Sequence, residues 1–155
     1  MSLYDVKGDL LESNCNYICH QVNCQGRMGS GIAKSIREKW PRVYNDYMKQ
    51  FEYMFPEDRN LLLGNIQCVF LHNEHYVVNM FAQEYYGYDG RRYTSYDAFW
   101  SCLGKLLDEV PEGSSIGFPK GIGCGLGGAN WYVIRAMIET ALADKYEVYI
   151  YELEK

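Results

Sequence analysis

The chain has 155 residues, of which 48% are hydrophobic, and a formal net charge of −5. This composition suits one globular domain with a real core, and the acidic balance argues against general nucleic-acid binding, which requires clustered positive charge. No apolar run approaches the roughly 20 residues of a membrane-spanning helix. The first residues also lack the basic and apolar regions of a signal peptide. We therefore predict a single cytoplasmic domain over residues 1–155 that does not engage a membrane.

Hydrophobic periodicity predicts alternating strands and helices along the chain. The alternation predicts a three-layer α/β/α sandwich with a mixed, mostly parallel sheet, whose one hairpin turns at residues 72–74. The polar loop 82–93 is long enough for us to expect a lid or a binding loop. The predicted strands are 3–7, 17–23, 65–71, 75–81, 114–118 and 147–153, and the predicted helices are 31–40, 41–53, 94–110 and 129–143.

The first glycine-rich loop connects an apolar strand at 17–22 to a helix in which Ile32, Ile36 and Trp40 share one face. The first N–H groups of a helix lack internal partners, and the helix dipole favours negative charge at that end. Glycines at Gly29 and Gly31 allow the backbone to approach a phosphate closely. This order predicts an anion site, although a flexible turn that binds nothing has the same pattern.

A second segment, 114–138, repeats the order of strand, glycine loop and helix, with five glycines between Gly121 and Gly128. We expect the two loops to face each other across the carboxyl ends of neighbouring strands and to hold a diphosphate between them. Residues 123–128 also fit the dinucleotide-binding pattern GxGxxG. Only one strand follows that motif, so the remaining strands of a dinucleotide-binding half are missing and this alternative is disfavoured.

We predict no metal site among the cysteines and histidines. Cys15, Cys19, His20 and Cys24 are close in sequence, but Cys19 and His20 are adjacent in a strand and point to opposite faces. Neither Cys24 nor Cys124 is followed by an arginine at the spacing of cysteine phosphatases. We expect buried thiols, no metal and no cofactor.

Three motifs occur in order along nearly the whole chain. They are Gly8-Asp9 after the first strand, Val22-Asn23 leading into Gly29-Ser30-Gly31-Ile32-Ala33, and Phe118-Pro119 leading into Ile122-Gly123-Cys124-Gly125-Leu126 with Trp131 beyond. By these motifs the chain resembles the macro domain family, whose members bind ADP-ribose. The string from His20 to Gly26 is similar to the ADP-ribose-1''-phosphate phosphatases, and the second loop resembles the branch that also contains the terminal ADP-ribose glycohydrolase.

The resemblance implies binding roles for particular residues. Asp9 accepts a hydrogen bond from adenine, or only caps a helix; Tyr151 stacks on adenine, or is only a tyrosine at the sheet edge. Asn23 contacts the distal ribose. The implied backbone donors to the two phosphates are Gly29, Ser30, Gly31 and Ile32 in the first loop, and Gly121, Ile122, Gly123, Cys124, Gly125 and Leu126 in the second.

The implied chemistry is hydrolysis of ADP-ribose 1''-phosphate. Asn23 and the backbone amides of the two loops would hold the phosphate, and His20 is the candidate acid/base because histidine titrates near neutral pH. Arg91 and Arg92 would act as a lid over the terminal phosphate. The alternatives are that His20 is a satisfied core residue and that the arginines are solvated. The lysine and aspartate of the glycohydrolase correspond here to Gln83 and Gly127, which disfavours its lysine-dependent mechanism.

Two other functions remain open from the sequence. One is a non-catalytic reader of ADP-ribose, either free or attached to protein. The other is a hydrolase that removes ADP-ribose from a different linkage, using water held by the substrate phosphates.

Overall fold

A computed structural model describes residues 1–154 and contains a six-stranded mixed sheet in the order β1-β6-β5-β2-β4-β3. All neighbouring pairs are parallel except β3 with β4. The predicted fold class is therefore confirmed. The elements are β1 (Leu3–Lys7), β2 (Tyr17–Asn23), α1 (Gly31–Lys39), α2 (Pro41–Tyr53), β3 (Ile66–His72), β4 (His75–Gln83), α3 (Tyr96–Glu109), β5 (Ser115–Pro119), α4 (Trp131–Leu142) and β6 (Glu147–Glu152), with 3-10 helices at Leu10–Glu12 and Pro56–Leu62.

Helices cover both faces of the sheet and divide the core into two clusters. On one face α3 and α4 contribute Phe99 and Ile134, and on the other α1 and α2 contribute Ile36 and Tyr47. Strand β2 lies in the middle and is buried on both faces, which explains its nearly continuous apolar pattern. Within residues 1–154, no helix is long and apolar enough to cross a membrane.

The predicted elements differ from the observed ones mainly at their ends. Helix α4 begins at Trp131 rather than at residue 129, because Asn130 caps it by accepting a hydrogen bond from the N–H of Tyr132. Strand β4 continues two residues further, to Gln83. The 3-10 helix Pro56–Leu62 was not predicted, because its spacing is shorter than the α-helical period.

Parallel pairing of β2 with both β4 and β5 fixes where a ligand can bind. The carboxyl ends of these three strands lie at the same edge of the sheet, which is where open α/β sheets bind ligands. The first glycine-rich loop follows β2, the second follows β5, and the loop predicted at 82–93, whose first two residues belong to β4 in the structure, continues from that strand. The order of the strands therefore places the two glycine-rich loops next to each other, as expected.

The close packing of Gly117 in β5 against Leu10 and Cys15 gives a first test of the core. A β-carbon at Gly117 would lie 2.6 Å from a methyl carbon of Leu10 and 2.9 Å from the sulfur of Cys15. We expect Gly117→Ala to lower the free energy of unfolding by about 1–3 kcal/mol. The control is Gly104→Ala in α3, where nothing lies within 4 Å, and which should stabilise by about 0.5–1 kcal/mol. Urea denaturation measures both; an unchanged Gly117→Ala midpoint would contradict the packing.

Candidate functional site

A cleft of about 650 Å³ lies at the carboxyl ends of β2, β4 and β5. Both glycine-rich loops form its walls, and the loop 82–93 contributes a third side. The cleft is lined in the first loop by Gly26, Arg27, Met28, Gly29, Ser30, Gly31, Ile32 and Ala33, in the second by Gly121, Ile122, Gly123, Gly125, Leu126 and Gly127, and elsewhere by Gln21, Val22, Asn23, Arg37, Tyr44, Gln83, Tyr86, Gly87, Tyr88, Pro119 and Lys120.

The N-terminus of α1 opens into this cleft without a cap. Ser30 occupies the capping position, but its hydroxyl makes no capping hydrogen bond and lies 3.2 Å from the hydroxyl of Tyr88 instead. Among the described residues, the N–H groups of Gly31, Ile32 and Ala33 have no acceptor. Unsatisfied donors together with the helix dipole make this end of α1 a site for an anion.

Asn23 holds the first loop in shape rather than projecting freely into the cleft. Its Oδ1 accepts hydrogen bonds from the backbone N–H of Gln25 at 2.9 Å and of Arg27 at 3.3 Å, and its Nδ2 donates to the Arg27 carbonyl at 2.9 Å. The buried Tyr47 hydroxyl donates to the Asn23 backbone carbonyl at 2.7 Å. Asn23 therefore lines the cleft, but its side chain is committed to its own loop.

The second loop uses some of its backbone N–H groups internally and, in the described part of the chain, leaves others free. The N–H groups of Ile122 and Cys124 are used within the loop, on the carbonyls of Pro119 and Gly121. Positive φ angles at Gly121 (82°) and Gly123 (75°) turn the chain between them. Within residues 1–154, the N–H groups of these two glycines, and those of Gly125 and Leu126, have no acceptor.

Two of the predicted phosphate donors in that loop are therefore corrected. Ile122 and Cys124 cannot donate through backbone N–H groups that are already bonded. Cys124 does not line the cleft, and burial raises the pKa of its thiol, as burial raises the pKa of Cys24 to about 12. Neither thiol is poised as a thiolate nucleophile, in agreement with the interpretation from sequence.

His20 is fully buried and does not line the cleft. Its Nε2 lies 2.5 Å from Oδ1 of Asn79, whose Nδ2 donates to Gln67 at 2.9 Å. Burial lowers the pKa of His20 to about 4, although the Asn79 hydrogen bond acts in the opposite direction. A neutral imidazole enclosed in the core does not support the acid/base role, and the alternative of a core histidine fits its position.

The two residues predicted to hold adenine lie outside the lining of the cleft. Asp9 follows β1 and caps the first 3-10 helix, with Oδ1 accepting from the N–H of Leu11 at 2.9 Å. Tyr151 is half-buried in β6, with its ring packed close to Gly8. The two residues are neighbours at the same edge of the sheet as the cleft. Their adenine contact stays a prediction.

The loop 82–93 approaches the cleft through tyrosines, not arginines. Tyr86 and Tyr88 line it, whereas Arg91 and Arg92 do not. Arg91 pairs with Asp89 at 3.2 Å, and the guanidinium of Arg92 lies 4.7 Å from the ring centre of Tyr96. In the structure tyrosines form this side of the cleft, and the arginine lid stays a prediction.

Several cleft residues were missed from the sequence. Arg27 and Arg37 line the cleft and have no carboxylate partner among the described residues. Arg37 is held with its guanidinium 3.8 Å from the ring centre of Tyr44. The position of Arg27 within the glycine loop was an available signal, whereas that of Arg37 depends on how α1 packs against α2.

Lys120 also lines the cleft, and its ion-pair partner is a carboxylate that it shares with a second lysine. Its Nζ donates to Glu152 at 2.5 Å, and Lys7 contacts the other oxygen of the same carboxylate. Hydrogen bonds from Lys120 and Lys7 lower the pKa of Glu152 to about 2. No aspartate, glutamate or histidine lines the cleft within the described residues.

Comparison with known proteins gives three relatives, and no family model matches the chain. An ADP-ribose 1''-phosphate phosphatase of Aspergillus oryzae is 38% identical over 47 residues, 30% of this chain and 23% of that protein. An uncharacterised 17.5 kDa protein of phage T4 is 27% identical over 96% of this chain and 95% of its own length. A DNA ADP-ribosyl glycohydrolase of Thermus aquaticus is 27% identical over 95% of this chain. The chain spans 40% of that enzyme.

Solved structures agree with the whole architecture. A Bacteroides thetaiotaomicron protein of unknown function superimposes with a TM-score of 0.83, at 28% identity over 98% of both chains. The macrodomain of Thermus aquaticus DarG has a TM-score of 0.77, at 24% identity over 96% of this chain and 97% of that one. Thermosipho africanus DarTG in complex with ADP-ribose has a TM-score of 0.75, at 20% identity over 97% of this chain and 41% of that one.

The buried histidine makes stability depend on pH. The pKa of His20 is about 4 in the folded protein and about 6.5 in an unfolded chain. Only the unfolded state therefore binds this proton between those values, so we expect roughly 3 kcal/mol of stability to be lost as pH falls from 6.5 to 4.

Denaturant melts at pH 6.5, 5.8 and 5.2 measure the slope. His20→Gln should flatten it, while the control His72→Gln, at an exposed histidine, should not. Equal slopes in the wild type and in His20→Gln would contradict the burial of a neutral His20.

Proposed function

Because this chain has the macrodomain fold, we propose that it binds ADP-ribose in the cleft, with the diphosphate between the two glycine-rich loops. One observation carries the proposal: the uncapped N-terminus of α1 and the free N–H groups of Gly123 and Gly125 border the same cleft. Oriented backbone amides bind phosphate oxygens without requiring net positive charge, which suits a chain of net charge −5.

The charges inside the cleft support an anionic ligand. Arg27 and Arg37 line it without carboxylate partners in the described residues. Lys120 shares the single carboxylate of Glu152 with Lys7, so these three side chains keep one positive charge. An unneutralised guanidinium is a strong donor to phosphate oxygens. The half of the ligand beyond the diphosphate would therefore meet two arginines on the wall formed by the first loop and α1.

The activity that we propose is hydrolysis of ADP-ribose 1''-phosphate to ADP-ribose and inorganic phosphate. The Aspergillus oryzae relative bears the name of this activity. In the reaction, water attacks phosphorus, the bond from phosphorus to the 1'' oxygen breaks, and the leaving oxygen takes a proton. Phosphoryl transfer has a loose transition state, so positioning and charge stabilisation supply most of the rate enhancement.

The cleft would carry out this reaction without a histidine. Gln83, whose amide is held by a hydrogen bond from Gln21, can orient the water, and Arg27 can stabilise charge on the departing phosphate. The substrate phosphate itself can accept the proton from water and pass it to the leaving oxygen. This route replaces the acid/base role of His20, which the burial of that residue does not support.

A second candidate is a reader that binds ADP-ribose without turning it over. The observation favouring it is that no aspartate, glutamate or histidine lines the cleft within residues 1–154. A hydrolase acting on another linkage of ADP-ribose is a third candidate, and the similarity of 95% of this chain to 40% of the Thermus aquaticus glycohydrolase favours it. Gln83 and Gly127 both line the cleft and cannot supply a lysine nucleophile or an aspartate acid/base.

The decisive test of activity is a phosphorus NMR time course of ADP-ribose 1''-phosphate with catalytic amounts of protein. We expect the monoester signal to convert to inorganic phosphate while the diphosphate signals stay constant. Arg27→Gln should slow conversion, and Arg42→Gln, on the outside of α2 and paired with Asp46, should not. If the monoester signal is unchanged but the diphosphate signals broaden at high protein concentration, the protein binds the ligand without hydrolysing it, and the non-catalytic reader replaces the phosphatase as the proposed function.

The diphosphate site itself is tested at Gly125. This residue lines the cleft, and a β-carbon there would meet nothing within 4 Å, so a side chain can be added without a clash. We expect Gly125→Glu to weaken ADP-ribose binding at least about 100-fold, because its carboxylate would face the ligand phosphates. The control Gly125→Gln has the same size without the charge. Calorimetric titration measures both, and normal binding by Gly125→Glu would refute the two-loop site.

A further inference from the structure

Thr94 lies behind the cleft, between the loop 82–93 and α3. It is only 2% exposed and does not line the cleft. Its hydroxyl donates to the carbonyl of Gly123 at 2.7 Å and accepts a hydrogen bond from Nε2 of Gln21, also at 2.7 Å. One buried hydroxyl thereby joins the second glycine-rich loop to the end of β2.

The backbone around Thr94 also forms hydrogen bonds with the second glycine-rich loop. The N–H groups of Tyr93 and Thr94 both donate to the carbonyl of Gly127, at 2.8 and 3.0 Å. A β-carbon at Gly128 would lie 2.9 Å from the carbonyl oxygen of Arg91, so the two backbones are in direct contact. Segment 91–94 therefore holds the second loop at residue 123 and again at residues 127–128.

The hydroxyl of Thr94 also fixes the two amides that line the cleft. Nε2 of Gln21 donates both hydrogens, one to Thr94 and one to Oε1 of Gln83 at 2.7 Å. Gln83 in turn donates to the carbonyl of Tyr85 at 2.8 Å. This arrangement leaves Oε1 of Gln21 buried without a partner. A buried unpaired oxygen persists only where its surroundings impose it.

We propose that Thr94 is a positioning residue for the cleft: its hydroxyl sets the geometry of the second phosphate loop and the orientation of the Gln21 and Gln83 amides. The proposal rests on the proposed function, since it assigns a role in binding ADP-ribose. Without the hydroxyl, the carbonyl of Gly123 and one N–H of Gln21 lose their buried partners. The loop then relaxes, and its free N–H groups no longer point together at the diphosphate.

The test compares Thr94→Val, which keeps the shape of threonine, with Thr94→Ser, which keeps the hydroxyl. Thr140→Val, at the exposed threonine of α4, is the control for general destabilisation. ADP-ribose affinity is measured by calorimetry at least 15 °C below each melting temperature. We expect about tenfold weaker binding for Thr94→Val, and binding within threefold of wild type for Thr94→Ser and Thr140→Val.

A ligand-free measurement separates this proposal from the proposed function. Amide NMR signals of Gly123, Gly125 and Gly127 should shift or broaden in Thr94→Val and return towards wild type in Thr94→Ser. If wild type does not bind ADP-ribose, the proposed function fails while these signals still decide the role of Thr94.

Unchanged loop signals, or normal ADP-ribose affinity in Thr94→Val with only a lower melting temperature, would overturn the proposal. Should Thr94→Val fail to fold, Thr94→Ala provides the same comparison without the extra buried methyl.

Discussion

The parallel pairing of β2 with β4 on one side and β5 on the other is the constraint on which the rest of the structure depends. It aligns the carboxyl ends of three strands, so three loops that are far apart in sequence meet at one edge. The side chains of β2 hold this pairing in register, because Cys19 packs in one core cluster and Ile18 and Val22 in the other, and a shift by one residue would place each set in a layer that it does not fit. The cleft is a consequence of strand order, not of any one loop.

Two kinds of polar group shape the cleft. Buried side chains hold the two glycine-rich loops through hydrogen bonds, and backbone N–H groups that face the cleft have no acceptor in the described residues. Tyr47 and Asn23 hold the first loop from the side of α2, and Thr94 holds the second from the side of α3. Backbone N–H groups at α1 and in the second loop remain without acceptors in the described residues. These donors lie at the surface of one cleft, where a ligand rich in acceptors can bind them in place of solvent.

The features of the protein that could be predicted from the sequence are those set by residues close together along the chain. Strand and helix types were predictable because apolar spacing is set within a few residues, and the macrodomain resemblance drawn from the glycine motifs is confirmed by the fold. The role of His20 was not predictable in this way. Its burial and its bond to Asn79 depend on a strand 59 residues away, and an apolar strand containing a histidine does not reveal which group the ring meets.

The sequence by itself determined the order of elements, the two strand–glycine–helix units and the acidic balance, since each is a property of neighbouring residues. Only the tertiary structure decided which N–H groups stay free, and it placed Tyr88 rather than Arg91 at the cleft. It also brought Thr94 beneath a loop 29 residues further along the chain. The physical reason is that hydrogen-bond partners and burial are set by packing between distant segments, whereas periodicity and turn formation are set along the chain.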